Sequence, residues 1–166
     1  MNTMRWKLTF AGVLLAGTFG GIALRVAWAT APKSVTNTLI AGPVVLGDIQ
    51  VVQEDPNYGA MIKTRGQSDA VVRSLSIAPG GDTGWHSHPG PVFALITAGA
   101  GSFYEASDPT FTPTVYTAGT GFVEAGGDVH IFRNEGSVNL ELTVMFLVPH
   151  GAPTRIDEPA PPGAPF

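Results

Sequence analysis

The chain contains no cysteine, which excludes disulfides, thiolate metal sites and a cysteine nucleophile together. Charge is scarce too: Asp, Glu, Lys and Arg make up 13% of 166 residues, about half the usual quarter. Basic residues number 9 against 13 acidic ones, for a net charge of −4 and a pI near 5.4. A nucleic-acid partner therefore has no electrostatic support. Beyond Leu24 no segment sustains the 3.6-residue apolar period of an amphipathic helix. Glycine (21) and proline (14) are plentiful instead, and 44% of residues are apolar. That is enough to bury a core, and the length predicts one domain with appendages. Frequent Gly and Pro among many Val, Thr, Ile and Phe fit short strands joined by tight turns.

The N-terminus reads as a targeting segment. Arg5 and Lys7 precede Leu8 to Leu24, an uncharged run of 17 residues, and Ala27-Trp28-Ala29 then supplies a small-x-small cleavage pattern. This is the order of a secretory signal peptide over residues 1–29. Cleavage there removes Arg5, Lys7 and Arg25, leaving six basic residues against 13 acidic, and starts the mature chain at Thr30. The expectation is a secreted or periplasmic protein with no stable membrane association after cleavage. The alternative is an anchor through residues 8–24, at the lower length limit for a span.

The remainder reads as strands and turns. Residues 30–42 are polar without a clear period and read as a leader or linker. Residues 43–149 hold the strand-like runs, among them Ala70 to Ile77, Val92 to Ala98, Gly121 to Glu124, Val129 to Arg133 and Val138 to Val148. Pro79-Gly80-Gly81-Asp82 reads as a chain break and Ala125-Gly126-Gly127-Asp128 as a turn. Residues 150–166 are rich in Pro, Ala and Gly and read as a tail without a packed element. The expected fold class is all-β: one antiparallel sandwich or barrel.

Only four histidines are present: His86, His88, His130 and His150. His86-Ser87-His88 puts two imidazoles on one face of a strand, because side chains alternate with period two. Two such rings can hold one metal ion from the same side, and His130, on another expected strand, can close the site. The spacing goes further. Gly80, five residues, His86-Ser87-His88, three residues, Val92, six residues and Gly99 follow one pattern. Gly119, five residues, Ala125-Gly126-Gly127, two residues, His130, three residues and Asn134 follow a second. Both resemble the two motifs of the cupin superfamily, with Val92 where the first motif has Glu and Ala125 where the second has Pro.

The resemblance implies a single jelly-roll β-barrel with inward metal ligands at His86, His88 and His130. It implies a three-histidine variant, since Val92 cannot coordinate. Such a site is neutral, and neutral imidazoles suit Fe, Zn, Ni or Cu better than ions that favour oxygen. Three protein ligands leave positions open, as catalytic sites do. The activity implied is that of a metal-dependent, oxygenase-like enzyme on a small organic substrate. A non-enzymatic cupin that binds or senses a metal or small ligand is the alternative, and pairing as a homodimer through sheet edges is the assembly implied. Val92, Ala94 and Phe132 are read as lining an apolar pocket, although each also fits plain core. Trp85 reads as core or rim packing, and Asn134 and Gly127 as turn-shaping residues. Glu124 and Asp128 read as solvated loop acids, Glu141 as outward-facing, and His150 as outside the site.

Overall fold

The computed structural model describes residues 28–166, so the expected signal segment, apart from its last two residues, lies outside the described residues. The strands in chain order are β1 (Lys33–Leu46), β2 (Gln50–Asp55), β3 (Tyr58–Lys63), β4 (Ser68–Asp82), β5 (His86–Ser87) and β6 (Val92–Ala98). They continue with β7 (Ala100–Glu105), β8 (Thr114–Thr117), β9 (Gly121–Glu124), β10 (His130–Arg133), β11 (Leu140–Pro149) and β12 (Ile156–Asp157). No helix occurs among the described residues. Ten strands join in one antiparallel sheet in the order β12-β5-β10-β4-β11-β6-β9, with β1 on β4, β7 on β10 and β8 on β7. The sheet curls into a nearly closed barrel, the all-β jelly-roll architecture expected from the sequence. Strands β2 and β3 form a separate hairpin.

Alternation builds the core. Along β11, Leu140, Leu142, Val144, Phe146 and Val148 are buried, while Glu141, Thr143, Met145 and Leu147 between them are less so. Val92, Ala94 and Ile96 do the same on the paired strand β6. These side chains meet Val71, Ile77 and Phe132 in one apolar cluster. Asn134 ties the barrel beside it. Its Nδ2 donates to the carbonyls of Ile77 (2.7 Å) and Val138 (2.8 Å), and its Oδ1 accepts from Gly136 N (3.0 Å).

Three segments differ from the sequence reading. The supposed leader is mostly strand: β1 pairs along β4 from Lys33↔Asp82 to Leu46↔Ser68. Nearly every residue of β1 is exposed, so neither face had to be apolar and no period marks it in the sequence. Pro79 to Asp82 is not a break but the curled end of β4. Gly80 there adopts φ +73, and a Cβ on Gly81 would lie 2.7 Å from the Lys33 carbonyl oxygen, so both positions favour glycine. The tail is docked. Strand β12 pairs with β5, Glu158 N donates to the Trp85 carbonyl at 3.0 Å, and Phe166 stacks on Trp85 with centroids 6.2 Å apart. The prolines prevent a ladder longer than two residues, but an aromatic anchor and a short bridge suffice to hold the tail.

Candidate metal centre

Two neighbouring strands, β5 with the residue after it and β10, bring the histidines together. His86 is the direct cross-strand partner of His130 in the β5–β10 pair, and His88 follows β5 one alternation later. Ring centroids lie 4.3 Å apart for His86–His130, 4.8 Å for His86–His88 and 5.2 Å for His88–His130. All three side chains are buried, and one ring nitrogen from each lies within 4.8 Å of the others.

Which nitrogens face inward follows from the hydrogen bonds. His86 Nδ1 lies 2.8 Å from the Gly84 carbonyl, His88 Nδ1 2.7 Å from that of Thr154, and His130 Nδ1 2.9 Å from that of Asp128. A carbonyl can only accept, so each Nδ1 carries the proton and each Nε2 is left as a lone pair. Donating the second nitrogen to a backbone carbonyl is how ligating histidines are oriented. Phe103 stacks on the His130 ring at 4.9 Å and Phe146 leans on His88 at 5.3 Å, fixing both planes.

A fourth base joins them, one that the sequence reading placed in solvent. The side chain of Glu124, at the end of β9, is only 8% exposed, and its Oε2 lies 3.0 Å from His130 Nε2 and 3.3 Å from His88 Nε2. No donor of the protein reaches that oxygen. Alternation explains the burial: Glu124 shares a face with Phe122, whereas Val123 between them is exposed. Asp128 contributes its carbonyl to His130. Val92, Ala94 and Phe132 line a cavity of ≈ 40 Å³ together with the three histidines and Glu124. Glu141 accepts from Ser76 Oγ at 2.7 Å on another part of the sheet, and His150 pairs with Asp69 at 2.8 Å, both away from the cluster. Trp85 lies in a separate apolar cluster with Tyr104 and Ile131.

Burial disfavours charge on every member. It pushes His86 down to about 2, helped by positive charge on His130, Arg155 and His88, and His130 down to about 4. His88 is lowered by the same cause. Burial pushes the Glu124 carboxyl up to about 8, with the Asp128 charge adding to the shift. The 3.0 Å contact is thus no ordinary ion pair. A carboxyl raised and an imidazole lowered by the same burial favour a neutral acid beside a neutral ring. Four converging Lewis bases with no other donor fit a cation, and three imidazoles with one carboxylate suit a divalent transition metal.

Stability of the metal-free protein should report these shifts. Imidazoles held below their ordinary 6.5 are protonated first in the unfolded chain, so their contribution is lost as pH falls below about 6.5. Glu124, held above 4.5, ionises first in the unfolded chain, so its contribution is lost as pH rises from 4.5 towards 8. Three imidazoles outweigh one carboxyl below 6.5, and above it only Glu124 acts. Asp69, Asp108 and Glu135, all lowered, weaken only the acid side. Metal-free protein is expected to melt highest near pH 6.5, and Glu124→Gln to flatten the alkaline fall. A Tm that climbs steadily from pH 6.5 to 8 contradicts this.

The model of the family described as "Cupin domain" matches residues 74–146. This chain carries a cupin domain. The matched stretch contains all three clustered histidines and Glu124. No curated protein matches the chain. Among solved structures, the cupin is similar to a double-stranded β-helix protein from Klebsiella pneumoniae, with 19% identity and a TM-score of 0.47 over 69% of this chain and 81% of that one. It is similar to the cupin domain of an XRE-family transcriptional regulator from Enterobacter cloacae, with 12% identity and a TM-score of 0.46 over 70% and 97%. An oxalate oxidase in complex with the substrate analogue glycolate gives 22% identity and a TM-score of 0.45 over 53% and 45%.

Two spaces adjoin the cluster or compete with it. A cleft of ≈ 150 Å³ has Glu124 and His130 in its wall, together with Phe103, Tyr116, Phe122, Glu105 and Asp128. A larger cavity of ≈ 560 Å³ lies between the β2–β3 hairpin and the outer face of β6 and β11, with none of the histidines in its wall. Size does not make it the site. The titratable groups with the strongest shifts converge elsewhere, and chemistry follows them.

Proposed function

We propose that this cupin is exported, binds one divalent transition metal (Fe, Zn, Ni or Cu) through His86, His88 and His130, and acts as an oxygenase-like enzyme on a small organic substrate. The observation that carries the metal reading is the set of three Nε2 lone pairs, each oriented by an Nδ1–H donated to a backbone carbonyl. A divalent ion bound there supplies Lewis-acid polarisation and, if redox-active, electrons for dioxygen chemistry.

The protein's own part is orientation and exclusion of water. Phe103 and Phe146 hold two of the rings, and Val92, Ala94 and Phe132 keep the inner side apolar. The ≈ 40 Å³ cavity has room for about a water molecule, so an organic substrate would have to use the ≈ 150 Å³ cleft that shares Glu124 and His130 with it. That volume is below the roughly 300 Å³ at which ordinary ligand pockets begin, and selects a molecule of few atoms. The same smallness favours the second reading, a cupin that only binds or senses a metal.

Oxygen uptake separates the two. Iron-loaded protein is expected to consume dioxygen when offered small apolar alcohols, diketones or carboxylic acids, and to convert one of them. Full iron occupancy with no uptake across such a panel leaves the binding reading. For export, intact mass of envelope or medium protein should show an N-terminus at Thr30. Retention of residues 1–29 on cytoplasmic protein contradicts it.

A further inference from the structure

Position 92 holds valine where the first cupin motif carries Glu, yet a carboxylate still reaches the histidines. Val92 on β6 and Glu124 on β9 are register partners, directly opposite each other in the antiparallel pair. Opposed side chains on one face have Cβ atoms about 4.5–5.5 Å apart, so a glutamate on either strand can reach the same interior point. Both residues line the same cavity as the three histidines. We propose that Glu124 is the fourth protein ligand of the metal, supplied across the strand pair in place of a carboxylate at position 92.

The proposal rests on the metal reading of the same site and extends it. Glu124 Oε2 stands 3.0 Å and 3.3 Å from two of the Nε2 atoms, with its side chain 8% exposed and no donor of the protein on that oxygen. A buried carboxylate oxygen left so is costly unless a cation or proton satisfies it. Valine opposite it fits the same arrangement. Two carboxylates facing each other across the pair would repel, so a ligand at 124 requires an uncharged, compact residue at 92. The donor set becomes three nitrogens and one anionic oxygen. Such a set accepts Mn(II) far better than three neutral imidazoles do, because a hard oxygen and a negative charge suit that ion.

The test is competition titration with Mn(II) and Zn(II) on the purified chain at one fixed pH. The proteins are wild type, Glu124→Gln, and the exchange variant Val92→Glu/Glu124→Val. Glutamine keeps the pocket filled, and circular dichroism checks that each variant folds. Glu124→Gln should weaken Mn(II) binding by at least about 100-fold, beyond the 10–100-fold typical of losing an outer partner, with a smaller loss for Zn(II). The exchange variant should regain Mn(II) affinity to within about tenfold of wild type, which a merely structural role for Glu124 cannot produce. If wild type binds metal and Glu124→Gln binds Mn(II) equally well, Glu124 is not a ligand and the three-histidine site stands. If wild type binds neither ion, the three-histidine site itself is wrong.

Discussion

Replacing His130 by alanine is expected to abolish the rise in melting temperature that Zn(II) gives the wild-type protein. His130 is nearly fully buried, is the cross-strand partner of His86, and touches Glu124 at 3.0 Å, so it sits at the centre of the cluster. A ligand present at 100 times its Kd stabilises a fold by about 2.7 kcal/mol. Losing a ligand weakens binding by more than about 100-fold, since even an outer partner is worth 10–100-fold. At the same zinc concentration the variant then retains about 0.4 kcal/mol. For a chain near this size that is a fall from roughly 5–10 °C of shift to about 1 °C. His150→Ala is the control. His150 pairs with Asp69 outside the site, so its removal should leave the zinc shift intact. Equal shifts in wild type and His130→Ala, read by calorimetry, contradict the assignment.

Deleting residues 152–166 is expected to damage both stability and metal affinity. Phe166 stacks on Trp85, meets Tyr104 edge-on at 4.8 Å, and lies under the Arg133 guanidinium at 3.9 Å. Two aromatic pairs at about 0.5–1.5 kcal/mol each and an exposed cation–π contact of about 0.5–1 amount to roughly 1.5–4 kcal/mol. That is a loss of roughly 3–16 °C in Tm. The tail also contributes the Thr154 carbonyl that accepts the His88 Nδ1 proton at 2.7 Å. Without it the ring loses its set orientation, and affinity should fall by about 10–100-fold. Phe166→Ala separates the two effects, because it removes the aromatic anchor and leaves the carbonyl. It should lower Tm with metal affinity nearly unchanged. A truncated chain that folds and binds metal like wild type would show that the tail does not orient His88.

Much of the site could be read in the sequence, for reasons tied to particular residues. His86-Ser87-His88 and His130 stand in two spaced patterns, and period two alone puts the first pair on one face. The barrel core was legible along Val92 to Ala98 and Val138 to Val148, because one buried face imposes alternation. Glu124 was not legible by the same route. The first motif puts its carboxylate position on the strand after His88, at Val92, whereas Glu124 stands on the neighbouring strand, whose register no spacing states. One signal was available: Phe122 and Glu124 share a face, so an inward Phe122 makes Glu124 inward too. The part of β1 before Pro43 left no trace because nearly all of it is exposed. The tail misled because its prolines limit strand length, while its anchor is a single aromatic residue at the chain end.

Equilibrium dialysis of the metal-free chain against Zn(II) at neutral pH, with metal content read by elemental analysis, tests the centre most directly. Neutral pH matters because a ligating imidazole must offer an unprotonated nitrogen. One ion per chain is expected in the wild type, and none after His86, His88 and His130 are replaced together by alanine. Equal metal content in the two proteins, or none in the wild type, contradicts a metal centre at these three histidines.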